Sequence, residues 1–240
     1  MSIDSSRAEK GSALEAAISH HEAGRFDEAR RLYEQITGNE PKNAEAFYRL
    51  GRLRFQTGDI DESLGLFDKA ISINAKISGY HVGRGEALES LGKMDDAIAA
   101  YRKAVSLDAE SIEAHLNLGK VLTNSGKPKD AINTYRKALA ADPDSVEILF
   151  SLGHALQSDG RKDEAVNALK KAVSLNPGVA EMHNDLGDLL ADLGRRDEAA
   201  ESFRKALKID PDSERARLGI ESVQSGENRV ETVGKEKLPK

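Results

Sequence analysis

Six glycines, Gly24, Gly58, Gly92, Gly126, Gly160 and Gly194, recur at a constant interval of 34 residues. A fixed period of this size means stacked copies of one supersecondary unit. A residue that returns once per copy serves the stacking, so most local motifs lose individual meaning. The period specifies an architecture and a class of work; it does not name a partner.

Residues 112–145 show what one copy contains. Leu116, Leu118, Val121 and Leu122 stand at helical spacing, and Gly126 stops the helix by taking the left-handed conformation. Pro128 suits the first turn of a second helix, where its missing N–H would have been unpaired anyway. Ala131, Ile132, Tyr135, Ala138 and Leu139 form the second apolar stripe, and Asp142-Pro143-Asp144 is a turn. One copy is therefore two antiparallel helices of about 12 to 14 residues. The register runs without insertion from Lys10 to Ser213 and predicts six repeats: 10–43, 44–77, 78–111, 112–145, 146–179 and 180–213.

Two small places pair with one large place. The eighth residue of each repeat is small (Ala17, Gly51, Gly85, Gly119, Gly153, Gly187), as is the twentieth. The twenty-fourth is large: Tyr33, Phe67, Tyr101, Tyr135, Leu169 and Phe203. Small residues let helix backbones approach, and the large one packs beside the crossing. The expected first-helix packing set is the fourth, seventh, eighth and eleventh places.

These residues resemble the tetratricopeptide repeat. Leu50-Gly51, Leu118-Gly119, Leu152-Gly153 and Leu186-Gly187 match its Leu-Gly dipeptide, and Pro41, Pro143, Pro177 and Pro211 its closing proline. Ala75 and Ala109 replace that proline, Arg84 replaces a leucine, and repeat one is the weakest match, with Ala13, Ala16 and His20 at places for larger residues. The resemblance implies an all-α fold, a right-handed α-solenoid of helix-turn-helix repeats. Such an array needs a terminal element over its last core face, and residues 214–224 read as that capping helix. Residues 1–9 and 225–240 carry few apolar groups and are expected to be disordered.

Composition narrows the function. The formal charge of −6 argues against general affinity for nucleic acid or anionic membrane. With no cysteine, disulfides and thiolate chemistry are excluded, and no apolar run approaches the roughly 20 residues needed to span a bilayer. A polar amino terminus without a signal-like apolar stretch makes cytoplasmic residence the expectation. Carboxylate pairs such as Asp27-Glu28 and Asp197-Glu198 open second helices, where they meet the positive end of the helix dipole rather than a substrate. His81, His115 and His183 share the fourth place of their repeats. Helix spacing of roughly 8–10 Å keeps them from converging on one metal, so they read as packing residues. Gly83-Arg84-Gly85 sits inside a helix without a preceding strand, so it is no phosphate loop. No catalytic residue, cofactor or metal site is expected.

What remains is a surface. In tetratricopeptide arrays, the resemblance implies, the second, fifth, sixth, ninth, twelfth and thirteenth places of the first helix line a concave groove that holds a peptide or partner helix. Repeat two puts Tyr48, Arg49, Arg52 and Phe55 there, repeat four Asn117 and Lys120, and repeat five Phe150 and His154. Aromatics with arginines are the composition of interface anchors. The groove reads as basic near repeat two and acidic at repeat six, where Asp185, Asp188 and Asp192 stand. The expected activity is a non-catalytic adaptor binding a partner segment with acidic groups. Arg49, Arg52 and Lys120 would meet those groups, with Tyr48, Phe55 and Phe150 as apolar anchors. Alternatives are a scaffold self-assembling end to end into a homo-oligomer and a non-catalytic partner of a glycosyltransferase-type system. Chaperone-tail binding is disfavoured, because no three consecutive repeats carry the required Lys and Asn pattern, and Asn117 alone matches the asparagine ladder of glycosyltransferase repeats.

Overall fold

All six periodic glycines take positive φ, from 71° at Gly126 to 90° at Gly58, and each follows the end of a helix. At Gly92 the turn is locked by backbone bonds from Gly92 N to Glu89 O and from Lys93 N to Leu88 O, both 2.9 Å. The computed structural model describes residues 13–225. These form thirteen α-helices and no strand: α1 (13–22), α2 (Phe26–Asn39), α3 (Ala44–Gln56), α4 (Ile60–Ile73), α5 (Ser78–Ser90), α6 (Met94–Leu107), α7 (Ile112–Asn124), α8 (Pro128–Ala141), α9 (Val146–Ser158), α10 (Lys162–Leu175), α11 (Ala180–Asp192), α12 (Arg196–Ile209) and α13 (Glu214–Ser225). The termini expected to be disordered lie outside the described residues, apart from Ser225.

The turn between repeats does not depend on proline. Asp142 and Asp210 precede prolines, and their Oδ1 atoms accept from Asp144 N at 3.3 Å and Asp212 N at 3.1 Å. Asn74 and Asp108 precede Ala75 and Ala109 and accept from Lys76 N and Glu110 N, both at 3.1 Å. The side-chain turn survives where the proline is missing.

The chain divides into two compact bodies, one up to Ser125 and one from Gly126. In the amino-terminal body Tyr33, Phe67 and Tyr101 are fully buried. A Cβ on Gly51 would stand 2.8 Å from the Phe67 ring, and one on Gly85 would stand 2.5 Å from Tyr101. In the carboxy-terminal body Leu169 and Phe203 are each 1% exposed, and Gly153 and Gly187 face them with Cβ positions at 2.6 Å. The expected pairing of eighth and twenty-fourth places therefore fills both cores.

The first helices bury more than the expected stripe. Ala46, Tyr80, Ala114 and Ile148 at the third place are buried, as are Leu53, Ala87, Val121, Ala155 and Leu189 at the tenth. At the sixth place Gly83 also turns inward. A Cβ on Gly83 would meet the ring of Phe67, one repeat earlier, at 2.9 Å. Helix α5 thus packs on its own hairpin partner α6 and on α3 and α4 of the preceding repeat, and the second contact adds the third and tenth places to the buried stripe.

At the end of the described chain α13 packs on α11 and α12. Its Gly219 approaches Phe203 as closely as Gly187 does, with a Cβ position at 2.6 Å, and Ala216 is fully buried. Leu218 on the opposite side is 42% exposed.

Candidate protein-interaction site

In the amino-terminal body the first helices α3, α5 and α7 lie in sequence side by side. Tyr48 is half-buried on α3, its ring 4.9 Å from Tyr80 and 5.8 Å from Phe67. Beside it Arg49 Nε donates to Glu45 Oε1 at 2.6 Å, and the Tyr80 hydroxyl donates to Glu45 Oε2 at 3.2 Å. Arg52 forms an ion pair with Glu86 of α5, and its guanidinium carbon stands 5.9 Å from the Phe55 ring centroid. The two arginines are thus matched by carboxylates of the same body. The basic character expected around repeat two is locally neutralised, because Glu45 lies one helical turn from Arg49 and Glu86 one repeat from Arg52.

Next to this cluster is a cleft of 320 Å³ lined by Phe55, Glu86, Glu89, Ser90, Tyr101, Asn117 and Lys120. Three predicted site residues, Phe55, Asn117 and Lys120, meet there. Tyr48 and Arg49 stand outside the cleft, and Arg52 reaches its edge through Glu86. Lys120 is exposed and has no ion-pair partner among the described residues. The Tyr101 hydroxyl donates to Glu89 Oε2 at 3.1 Å. Burial raises the Glu86 carboxyl above its ordinary value, against the pull of Arg52.

Phe150 and His154 belong to the carboxy-terminal body. Their rings stand 4.5 Å apart, and His154 Nε2 lies 2.8 Å from Asp185 Oδ2. Arg215 of α13 reaches both Asp185 Oδ1 and Asp188 Oδ2 at 2.6 Å. Burial alone would push the Asp185 carboxyl up, but hydrogen bonds from His154 and Arg215 outweigh it and hold the group below its ordinary value. The acidic character expected at repeat six is therefore also countered within its own body.

Sequence reasoning missed Glu86 and Glu89 as cleft residues. A signal existed at the ninth place, which holds Arg52, Glu86, Lys120, His154 and Asp188 in successive repeats. Opposite charges one period apart fall on neighbouring first helices, which is how Arg52 finds Glu86.

All five tyrosines carry phenols raised above the ordinary value of 10.0, each chiefly by burial. Tyr33, Tyr80 and Tyr135 rise to about 12. A raised folded value means that the neutral phenol is favoured in the native state. The resulting stability is full below the unfolded value near 10 and is lost as pH rises through the folded one. Titration followed by phenolate absorbance should show no step near 10 and a delayed rise coincident with loss of helical signal. A normal step before unfolding would contradict the packing described.

His81, His115 and His183 are buried. They are spent on the backbone: His81 on Ala75 O and His183 on Pro177 O at 3.0 Å, and His115 on Ser111 O at 2.9 Å. Arg84 extends to Asp68, its Nε 2.7 Å from Oδ1. Among the described residues no group of three or more His, Cys, Asp or Glu could hold a metal, and no helix is long and apolar enough to cross a membrane.

The profile of the family described as "Cilia and flagella-associated protein 70 C-terminal domain" matches residues 4–218. No curated protein matches. Among solved structures the chain resembles YrrB, described as a TPR protein with an unusual peptide-binding site, with TM-score 0.65 and 22% identity over 79% of this chain and 97% of that one. It also resembles Pseudomonas aeruginosa pilF, with TM-score 0.72 and 17% identity over 91% of this chain and 97% of that one. A third is MamA, with TM-score 0.63 and 24% identity over 70% and 92%. At these identities the likeness is one of fold.

Proposed function

The chain belongs to the family of the cilia and flagella-associated protein 70 C-terminal domain, and on that premise we propose that it is a non-catalytic scaffold binding an extended partner segment in the cleft of its amino-terminal body. The observation that carries this reading is the convergence of Phe55, Asn117 and Lys120, from two different repeats, on one cleft. Phe55 offers an apolar face and Lys120 an unmatched positive charge. Asn117 can both donate to and accept from a peptide backbone. The partner segment therefore carries an apolar side chain for Phe55 and a carboxylate for Lys120, while Arg49 and Arg52 hold the wall in shape through Glu45 and Glu86. The work is cytoplasmic on this reading.

The test compares partners recovered by affinity purification and mass spectrometry with native protein and with Phe55→Ala combined with Lys120→Glu. Central interface anchors cost 2 kcal/mol or more when truncated, so recovery of the true partner should fall at least about tenfold. The helical signal should not change. An identical partner list would remove the cleft from consideration, and recovery only of the chain's own copies would favour self-assembly instead.

A further inference from the structure

The carboxy-terminal body holds a larger cavity, of 710 Å³, between the second helices α10 and α12, with α11 beneath. Its apolar lining is Val173, Pro177, Leu186, Leu190 and Ile209. Ile209 is 39% exposed, so part of that lining is open to a ligand. The size falls within the roughly 300–1,000 Å³ of small-molecule pockets, which are also mainly apolar with a few polar groups.

The groove one repeat earlier, between α8 and α10, differs at matching places. There Lys171 reaches from α10 to the turn after α8, where its Nζ donates to the Pro143 carbonyl at 2.7 Å and pairs with Asp144 at 2.9 Å. Its equivalent on α12, Lys205, pairs along its own helix with Glu201 at 2.7 Å. The Pro177 carbonyl is taken instead by His183, which stands where the earlier repeat has Leu149. Val173 stands where α8 has the longer Leu139. The lysine strap is absent from this groove and one wall side chain is a methylene shorter.

Charge selects the ligand. Glu198 accepts from Lys170 at 2.7 Å and from Arg195 at 2.7 and 2.8 Å, and Glu201 is matched by Lys205. Lys208 also lines the cavity and has no ion-pair partner among the described residues. His183 Nε2 faces a carbonyl and therefore carries the ring proton, which leaves the buried Nδ1 without a partner.

We propose that this cavity binds a small amphiphilic anion, an acyl chain or ring ending in a carboxylate. The apolar body lies along Val173, Leu186 and Ile209, and the carboxylate meets Lys208. The site is separate from the cleft of the amino-terminal body and does not depend on it.

Calorimetric titration with dodecanoate should give saturable one-to-one binding. Lys208→Glu should weaken it at least about fivefold, the effect of losing roughly 1 kcal/mol at one charge contact. Val173→Leu should weaken it by filling the cavity, and Phe55→Ala should leave it unchanged. A spin-labelled fatty acid added to native protein should broaden the methyl signals of Val173 and Ile209, a readout that needs no variant to fold. Absence of saturable binding, binding indifferent to both cavity variants, equal loss with Phe55→Ala, or broadening elsewhere would each overturn the proposal.

Discussion

Phe203→Ala should destabilise the carboxy-terminal body by about 3–5 kcal/mol, the usual range for deleting a buried phenylalanine ring. Two glycines in different helices, Gly187 of α11 and Gly219 of α13, press on this one side chain, each with a Cβ position 2.6 Å from the ring. Neither glycine has a side chain that could swing into the space, so collapse around the cavity would require backbone movement. Hydrogen exchange should show α13 losing protection first, because Gly219, one of its two buried residues, packs on this ring. Phe203→Leu is the informative companion: leucine fills the same place against Gly153 as Leu169, so most of the stability should remain. Equal loss in the two variants would show that Phe203 is not gripped as described.

Gly85→Ala should cost about 1–3 kcal/mol through overpacking. The added methyl would meet three atoms of the Tyr101 ring at 2.5, 2.7 and 2.8 Å. That ring is fully buried and its hydroxyl is tied to Glu89, so it has little freedom to yield. Gly153→Ala makes a useful contrast, because its methyl would meet Cγ and Cδ2 of Leu169, an aliphatic side chain that can change rotamer; it should cost less. Combining Gly85→Ala with Tyr101→Leu should recover part of the loss, giving a coupling energy of about 0.5–3 kcal/mol in denaturant unfolding. Strict additivity would place the clash elsewhere.

The fold was legible because its determinants repeat in phase. Glycine at the fifteenth place, a small residue at the eighth and a large one at the twenty-fourth are each weak alone, but six copies in register leave one architecture. The stripe through the third and tenth places was harder to read. Ala46, Ala87, Ala114 and Ala155 signal neither burial nor exposure in a sequence, yet all four are fully buried. The candidate site was legible in part. Phe55, Asn117 and Lys120 stood out as aromatic or polar groups off the packing register, and they meet. Arg49 and Arg52 looked equally available, yet each is matched by a carboxylate that only helix geometry or the stacking brings near. The α10–α12 cavity left almost no trace in the pattern, since it arises from a shortened side chain and a redirected lysine.

Arg52, Glu86 and Lys120 stand on three consecutive first helices at the same place of the repeat. Excising residues 78–111, a single period, would set arginine against lysine where arginine now meets glutamate. Loss of this copy is therefore penalised electrostatically even though the hydrophobic register would close without a seam.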